Sequence, residues 1–355
     1  MFDIENYEIF EIINILGFIL GLIFGIVAQK NQFCFSGSIK DYMLTNSTKR
    51  GASVVMAIIF AIISTYISSL YFDIDLSQSN YFKENINYFS IIFGGVLFGA
   101  GMIIADGCSS RHLIKFAQGD PYSLVTVIFI GIFAYVTTKG FLYAPISWFS
   151  TNETLINISS NIQNTQVNIY LVLIPLFIFL WILTKSFKRI LSLKDGFIIG
   201  LLIPIGWYVT SIIGSQSMEK QIVLESFSFV YPTAKTLEFL TYYEVNELSF
   251  SISIIFGVLI GAFSMSKVNK KYSFGCTSNL KRSKIKYNMI GGAMMGVGGV
   301  LAIGCTVGQG LSGISTLAFA SILAISSILI SGYFTARYLN SKNQLPMCFV
   351  FEWEK

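Results

Sequence analysis

A chain of 355 residues with a formal net charge of +5, 54% hydrophobic and only 12% charged, does not have the composition of a water-soluble globule. Its apolar residues gather in blocks of about twenty, the length a helix needs to cross a hydrocarbon layer of roughly 30 Å. The chain therefore reads as an all-α polytopic membrane protein.

Taken in chain order, the stretches expected to span are 10–28, 51–72, 88–106, 121–142, 168–184, 195–214, 249–267, 288–304 and 313–337. An odd number puts the termini on opposite sides. Counting basic residues in alternate loops gives the orientation, because short loops rich in Lys and Arg stay cytoplasmic. One set holds 20 of the 24, among them Lys40, Arg50, Arg111, Lys115 and the cluster between Lys267 and Lys286, whereas the other holds Lys83, Lys220 and Lys235. The expected arrangement is N-terminus outside and C-terminus inside. Acidic residues (Asp3, Glu5, Glu8) precede the first block, so it is expected to be a retained helix rather than a cleaved signal. The positive charge is topological and calls for no nucleic-acid partner. No GxxxxGK[ST], HExxH or GxSxG motif occurs, and His112 is the only histidine, which favours transport without nucleotide hydrolysis, without a metal and without a cofactor.

An internal repeat supports the transport class. The segment 94–108, GGVLFGAGMIIADGC, lies over 291–305, GGAMMGVGGVLAIGC, without a gap and with seven of fifteen positions identical. By the loop count the two copies run in opposite directions, as in transporters built from inverted halves with a site near the midplane. The halves are placed at roughly 1–145 and 195–340. A weaker echo pairs GLIFG at 21–25 with GVLIG at 257–261, here running the same way. Either it is compositional, or one of the segments 29–50 and 268–287 partly re-enters the membrane.

The cysteines carry the chemistry. Gly-Cys-Ser/Thr occurs at 107–109, 275–277 and 304–306, and Cys34 sits in QFCFSGS. Each of Cys34, Cys108, Cys276 and Cys305 marks a point where an apolar block gives way to a short polar stretch. A helix that breaks and restarts there frees backbone N–H groups that bind anions. Gly107, Gly304, Ser109, Thr306, Arg111 and Gln309 flank these breaks as supporting candidates. Asp106 is expected to be solvated at its helix end, Arg111 has the competing reading of a cytoplasmic anchor, and Lys139 is expected to snorkel to the interface. Cys348 reads as a small buried hydrophobe. A thiol is a soft, weak donor and suits a soft sulfur or selenium atom better than a hard oxyanion, provided that it stays protonated. A membrane thiol enzyme would need a resolving partner, and no CxxC pair is present.

At these residues the chain resembles the YeeE/YedE family of bacterial inner-membrane proteins. The resemblance is carried by QFCFSG at Cys34, GGVLFGAGMIIADGC ending at Cys108, and GGAMMGVGGVLAIGC ending at Cys305. It implies about nine transmembrane helices plus short re-entrant ones, pseudo-symmetric inverted halves, a constricted centre, and uptake of thiosulfate or a related sulfur anion. Carried over by motif, the thiols that relay the anion through S–H···S hydrogen bonds fall on Cys34, Cys108 and Cys305, with Cys276 outside the matched pattern. FCFSGSIKDYML is also similar to the branch that handles selenium compounds. The expected partners are such a sulfur or selenium anion, membrane lipid, and a cytoplasmic sulfur-carrier protein docking on the basic loop 267–287. An enzyme is not expected.

Overall fold

The computed structural model describes residues 9–82, 87–151, 167–217, 222–242, 247–270, 272 and 282–346. Among them the regular structure is helical. The helices are α1 (Ile9–Asn31), α2 (Phe35–Thr45), α3 (Lys49–Phe72), α4 (Tyr88–Ile104), α5 (Ser109–Ala117), α6 (Pro121–Thr138), α7 (Tyr143–Thr151), α8 (Ile169–Thr184), α9 (Phe187–Leu191), α10 (Lys194–Tyr208), α11 (Tyr231–Thr241), α12 (Phe250–Val268), α13 (Arg282–Leu301) and α14 (Phe319–Ser341). Seven helical runs, two of which carry α2 and α5 as continuations of α1 and α4, are long and apolar enough to cross a membrane. The other two expected spans correspond to α8, apolar but only 16 residues long, and α13, whose first turns carry Arg282, Lys284 and Lys286. The protein is a multi-pass membrane protein.

Local chemistry sets several of the starts. Asn87 caps α4 by accepting from the Phe89 and Ser90 amides at 3.0 and 3.2 Å, and Asp120 caps α6 ahead of a proline at the first helical position. The expected span 313–337 begins later, at Phe319, because Gly308–Gly313 is wound as a π-helical segment and Leu317 is left-handed at φ 60°.

The glycines determine how the spans meet. A Cβ added to Gly94 would lie 2.6 Å from the Ala302 nitrogen, one on Gly298 2.6 Å from the Gly94 carbonyl, and one on Gly101 2.8 Å from the Gly291 carbonyl. Helices α4 and α13 thus touch backbone to backbone, antiparallel, as small residues permit inside a bilayer. On their outer sides each packs parallel to a further helix: Gly292 and Gly296 of α13 against Thr126 and Ile130 of α6, and Gly95 and Gly99 of α4 against Ala324 and Ile328 of α14. The order α6, α13, α4, α14 is unchanged when α4 is exchanged for α13 and α6 for α14. The weaker echo has a different cause. Gly17 and Gly25 of α1 abut Phe250 and Val258 of α12, while Gly257 abuts Leu22, so GLIFG and GVLIG are facing surfaces of two parallel helices.

Two connections fold back into the protein. Helices α2 and α5 are short; α5 is buried almost throughout, and α2 is buried or half-buried over its first two turns. The non-helical stretch 222–230 brings Phe227 and Phe229, both fully buried, against Phe24 at ring distances of 5.5 and 5.3 Å. Its backbone is held by Ser312, which donates to the Phe227 carbonyl at 2.7 Å, while its own Ser226 donates to the Ile203 carbonyl at 2.9 Å. Irregular backbone at such a depth persists only when its polar groups find partners in this way.

Candidate functional site

Three chain breaks share one geometry. Gln32, Asp106 and Ile303 are left-handed, at φ 57°, 67° and 57°, and each stands two residues before a cysteine. The next residue donates back across the helix end: Phe33 to the Ala28 carbonyl at 3.1 Å, Gly107 to Met102 at 2.9 Å, and Gly304 to Gly299 at 2.8 Å. This is the six-to-one closure of a Schellman cap. The cysteine carbonyl then accepts the first bond of the new helix, from Ser38 at 3.1 Å, His112 at 3.0 Å and Gln309 at 2.7 Å. Cys34, Cys108 and Cys305 are therefore N-cap residues, and all three are buried.

Their sulfurs are not equivalent. Cys34 Sγ accepts from the Gly37 amide and Cys305 Sγ from the Gly308 amide, both at 3.3 Å. Cys108 makes no such cap bond. Its sulfur instead has the Cys34 thiol and the Thr306 hydroxyl, adjacent to Cys305, as neighbours, without a hydrogen bond to either. Ser36 and Ser110 hydroxyls sit 3.2 and 3.4 Å from the Cys34 and Cys108 sulfurs. The three breaks, far apart in sequence, converge on one buried spot.

Charge is concentrated beside it. Lys40 and Lys115 both grip Asp106, with Nζ–Oδ distances of 2.7 and 2.8 Å; Lys115 also donates to the Asp106 carbonyl at 2.6 Å and Lys40 to that of Pro346 at 3.1 Å. Arg50 is paired with Asp41 through two hydrogen bonds. These side chains are buried. The expectation that Asp106 is solvated is thus corrected: it bridges two lysines. So is the reading of Lys40, Arg50 and Lys115 as loop charges, because α2 and α5 fold inward and bring acid and base together. Arg111 is also buried rather than an exposed anchor; its Nη2 donates to the Gln32 side-chain oxygen, while Nη1 has no hydrogen-bond partner among the described residues. Lys139 is exposed and pairs with Glu238 at 2.7 Å.

Of the other expected residues, Gln309 donates to the Ala302 carbonyl at 2.5 Å and braces the third break. Gly107 lies against Arg111 and His112, where a Cβ would meet each at 3.2 Å. Gly304 lies against the Gln309 side chain. The hydroxyls of Ser109 and Thr306 are buried without a hydrogen-bond partner apart from the proximity of Thr306 to Cys108. Cys276 and Cys348 lie outside the described residues.

A cavity of about 480 Å³ approaches Cys305 from the other side, reaching Gly304 and Ser228 and lined also by Tyr81, Trp207, Lys139 and Lys235. Tyr81 donates to the Gly308 carbonyl at 2.8 Å, and burial pushes its phenol well above the ordinary range, so it stays a neutral donor. Trp207 donates to Ser315 at 3.1 Å. Sequence reasoning missed Gln32, Lys40, Tyr81 and Trp207 as site residues. Gln32 had a positional signal, two before a cysteine as Asp106 and Ile303 are; the others had none.

Comparison with known proteins gives a consistent result. A family model described as sulphur transport matches residues 30–335. The thiosulfate transporter TsuA of Escherichia coli (strain K12) is 22% identical over 351 residues, covering 91% of this chain and 93% of that protein. TsuA of Spirochaeta thermophila is 25% identical over 348 residues, covering 91% and 98%. A shorter match, 23% over 107 residues and 30% of this chain, is to the probable transporter YedE of Escherichia coli.

Proposed function

The chain belongs to the sulphur transport family, and from that premise we propose that it carries thiosulfate, or a related inorganic sulfur anion, into the cell by passing it along Cys305, Cys108 and Cys34. The observation that supports this reading is the shared geometry of three buried N-cap cysteines, with the breaks at Cys34 and Cys108 tied together by the Arg111–Gln32 hydrogen bond. The names of the two TsuA relatives support the substrate.

With the four buried cations set aside, the loop-charge count is still 16 (20 − 4) against 3, which supports an N-terminus outside and a C-terminus in the cytoplasm of a bacterial inner membrane. In that orientation the cavity at Tyr81 and Trp207 opens outward and leads to Cys305, and the Lys40–Asp106–Lys115 cluster lies at the inner end. The anion enters from the cavity, offers its terminal sulfur to successive thiols, and leaves past the lysines. Neutral thiols suit a relay. Each S–H···S contact is weak, so no station holds the anion deeply, and the soft sulfur is matched by soft donors. The broken helices add free amide dipoles at the same points. A selenium analogue of the anion has the same soft pole and competes for the same path. A sulfur-carrier protein docking on the basic loop 267–287 would collect the product inside.

Substitution of Cys108 or Cys305 by Ala should abolish growth on thiosulfate as sole sulfur source in an uptake-deficient bacterial host, with membrane expression verified by immunoblot. Growth at the wild-type rate would refute the relay.

A further inference from the structure

Four cationic side chains, Lys40, Arg50, Arg111 and Lys115, are buried around the thiols. Three have carboxylate partners: Arg50 holds Asp41, and Lys40 and Lys115 share Asp106. Among the described residues Arg111 has no carboxylate within ion-pair distance, and its Nη1 has no hydrogen-bond partner. Burying a guanidinium without a counter-charge is among the costliest things a fold can do. The side chain is also aimed: Gln32, at the first cysteine break, holds its Nη2, which leaves Nη1 as the open tine of a donor fork that suits oxygen anions. Arg111 stands on the helix that Cys108 caps, and Gln32, which holds it, lies two residues before Cys34. A second buried donor without a hydrogen-bond partner among the described residues is the Thr306 hydroxyl, beside Cys305.

Resting on the transport reading above, we propose that Arg111 and Thr306 form a fixed seat for the oxygen pole of the transported anion, which supplies the counter-charge that the fold withholds from Arg111. The guanidinium and hydroxyl take two oxygens of the oxidised sulfur while the Cys34 and Cys108 thiols take the terminal sulfur. The site thereby reads both ends of a two-headed anion. Sulfate, which has oxygens only, satisfies the seat but not the thiols and binds weakly.

The test is anion binding by calorimetry to the full-length protein purified in detergent, using sodium thiosulfate and sodium sulfate as probes, alongside uptake in proteoliposomes. Arg111→Gln should weaken thiosulfate binding about 10- to 100-fold, the range for losing a hydrogen bond to a charged group, and should abolish competition by sulfate. Arg111→Lys and Thr306→Val should each weaken binding several-fold, and they serve where Arg111→Gln fails to fold. Cys108→Ser should stop uptake but keep sulfate binding within about threefold. Unchanged thiosulfate and sulfate affinities in all three seat variants would overturn the proposal. So would unchanged affinity accompanied by a shifted pH profile of Cys34 alkylation, because Arg111 would then be serving a thiolate. Absence of thiosulfate uptake by the wild-type protein would instead sink the transport reading itself.

Discussion

Removing the charge of Asp106 without changing its shape, as Asp106→Asn, tests the buried ion cluster. The carboxylate lies 2.7 Å from Lys40 Nζ and 2.8 Å from Lys115 Nζ, and the three side chains are only 2%, 7% and 9% exposed for Lys40, Lys115 and Asp106. Deleting one partner of a buried pair strands its counterpart and costs about 3–5 kcal/mol. Here two ammonium groups are stranded together. Each keeps one carbonyl, of Asp106 or Pro346, so the lower end, about 3 kcal/mol, is the expected total. The control is Glu238→Gln, which breaks the exposed pair with Lys139, whose side chain is 51% accessible; such pairs contribute under about 1 kcal/mol. Unfolding by SDS titration in a single detergent, followed by circular dichroism, ranks the variants. Asp106→Asn should fall well below Glu238→Gln, and adding Lys40→Met should recover part of the loss by removing one stranded charge. Equal losses for Asp106→Asn and Glu238→Gln, or a further fall on adding Lys40→Met, would refute the reasoning.

Gly298→Leu should prevent assembly of a stable protein, because even a Cβ there would meet the Gly94 oxygen and Phe98 nitrogen at 2.6 Å; size-exclusion chromatography of the expressed variant reads this directly, and a monodisperse peak at the wild-type position would contradict the packing. Glu225 gives a pH dependence. Burial raises its carboxyl above the usual 4.5, against smaller opposing effects of Lys235 and Ser251, so the folded state binds this proton more tightly than the unfolded chain does. Its contribution is then greatest at low pH and is lost as pH rises above the ordinary glutamate value. The wild-type melting temperature should carry a downward step with rising pH that Glu225→Gln removes, and identical pH profiles for the two proteins would contradict it.

How far the sequence could be read depended on the range of the interaction. The apolar blocks are local, and so are the Gly-Cys-Ser/Thr breaks, since a Schellman closure followed by an N-cap involves residues no more than five apart. The opposite directions of 94–108 and 291–305 were legible from the repeat and the loop charges, whereas the contact between the two copies was not. The ion cluster was not. Lys40 and Asp106 are 66 residues apart, and only the inward folding of α2 and α5 turns what look like loop charges into buried partners. Arg111 belongs to the same blind spot, because its isolation is visible only after every neighbouring carboxylate has been assigned. GLIFG and GVLIG left two alternatives open, composition or inward folding of 29–50 or 268–287, and α2 within 29–50 does fold inward. Two similar glycine faces suggested a repeat, whereas the similarity comes from the shared requirement of close parallel packing.

The backbone contact between α4 and α13 also constrains how the two helices can move. Ridges made of main-chain atoms have no side chains to re-rotamer, so these two helices cannot slide past one another by fractions of a turn, and a stiff spine runs beside the sulfurs. Any rearrangement near the cysteine breaks would therefore carry these two helices together as one body.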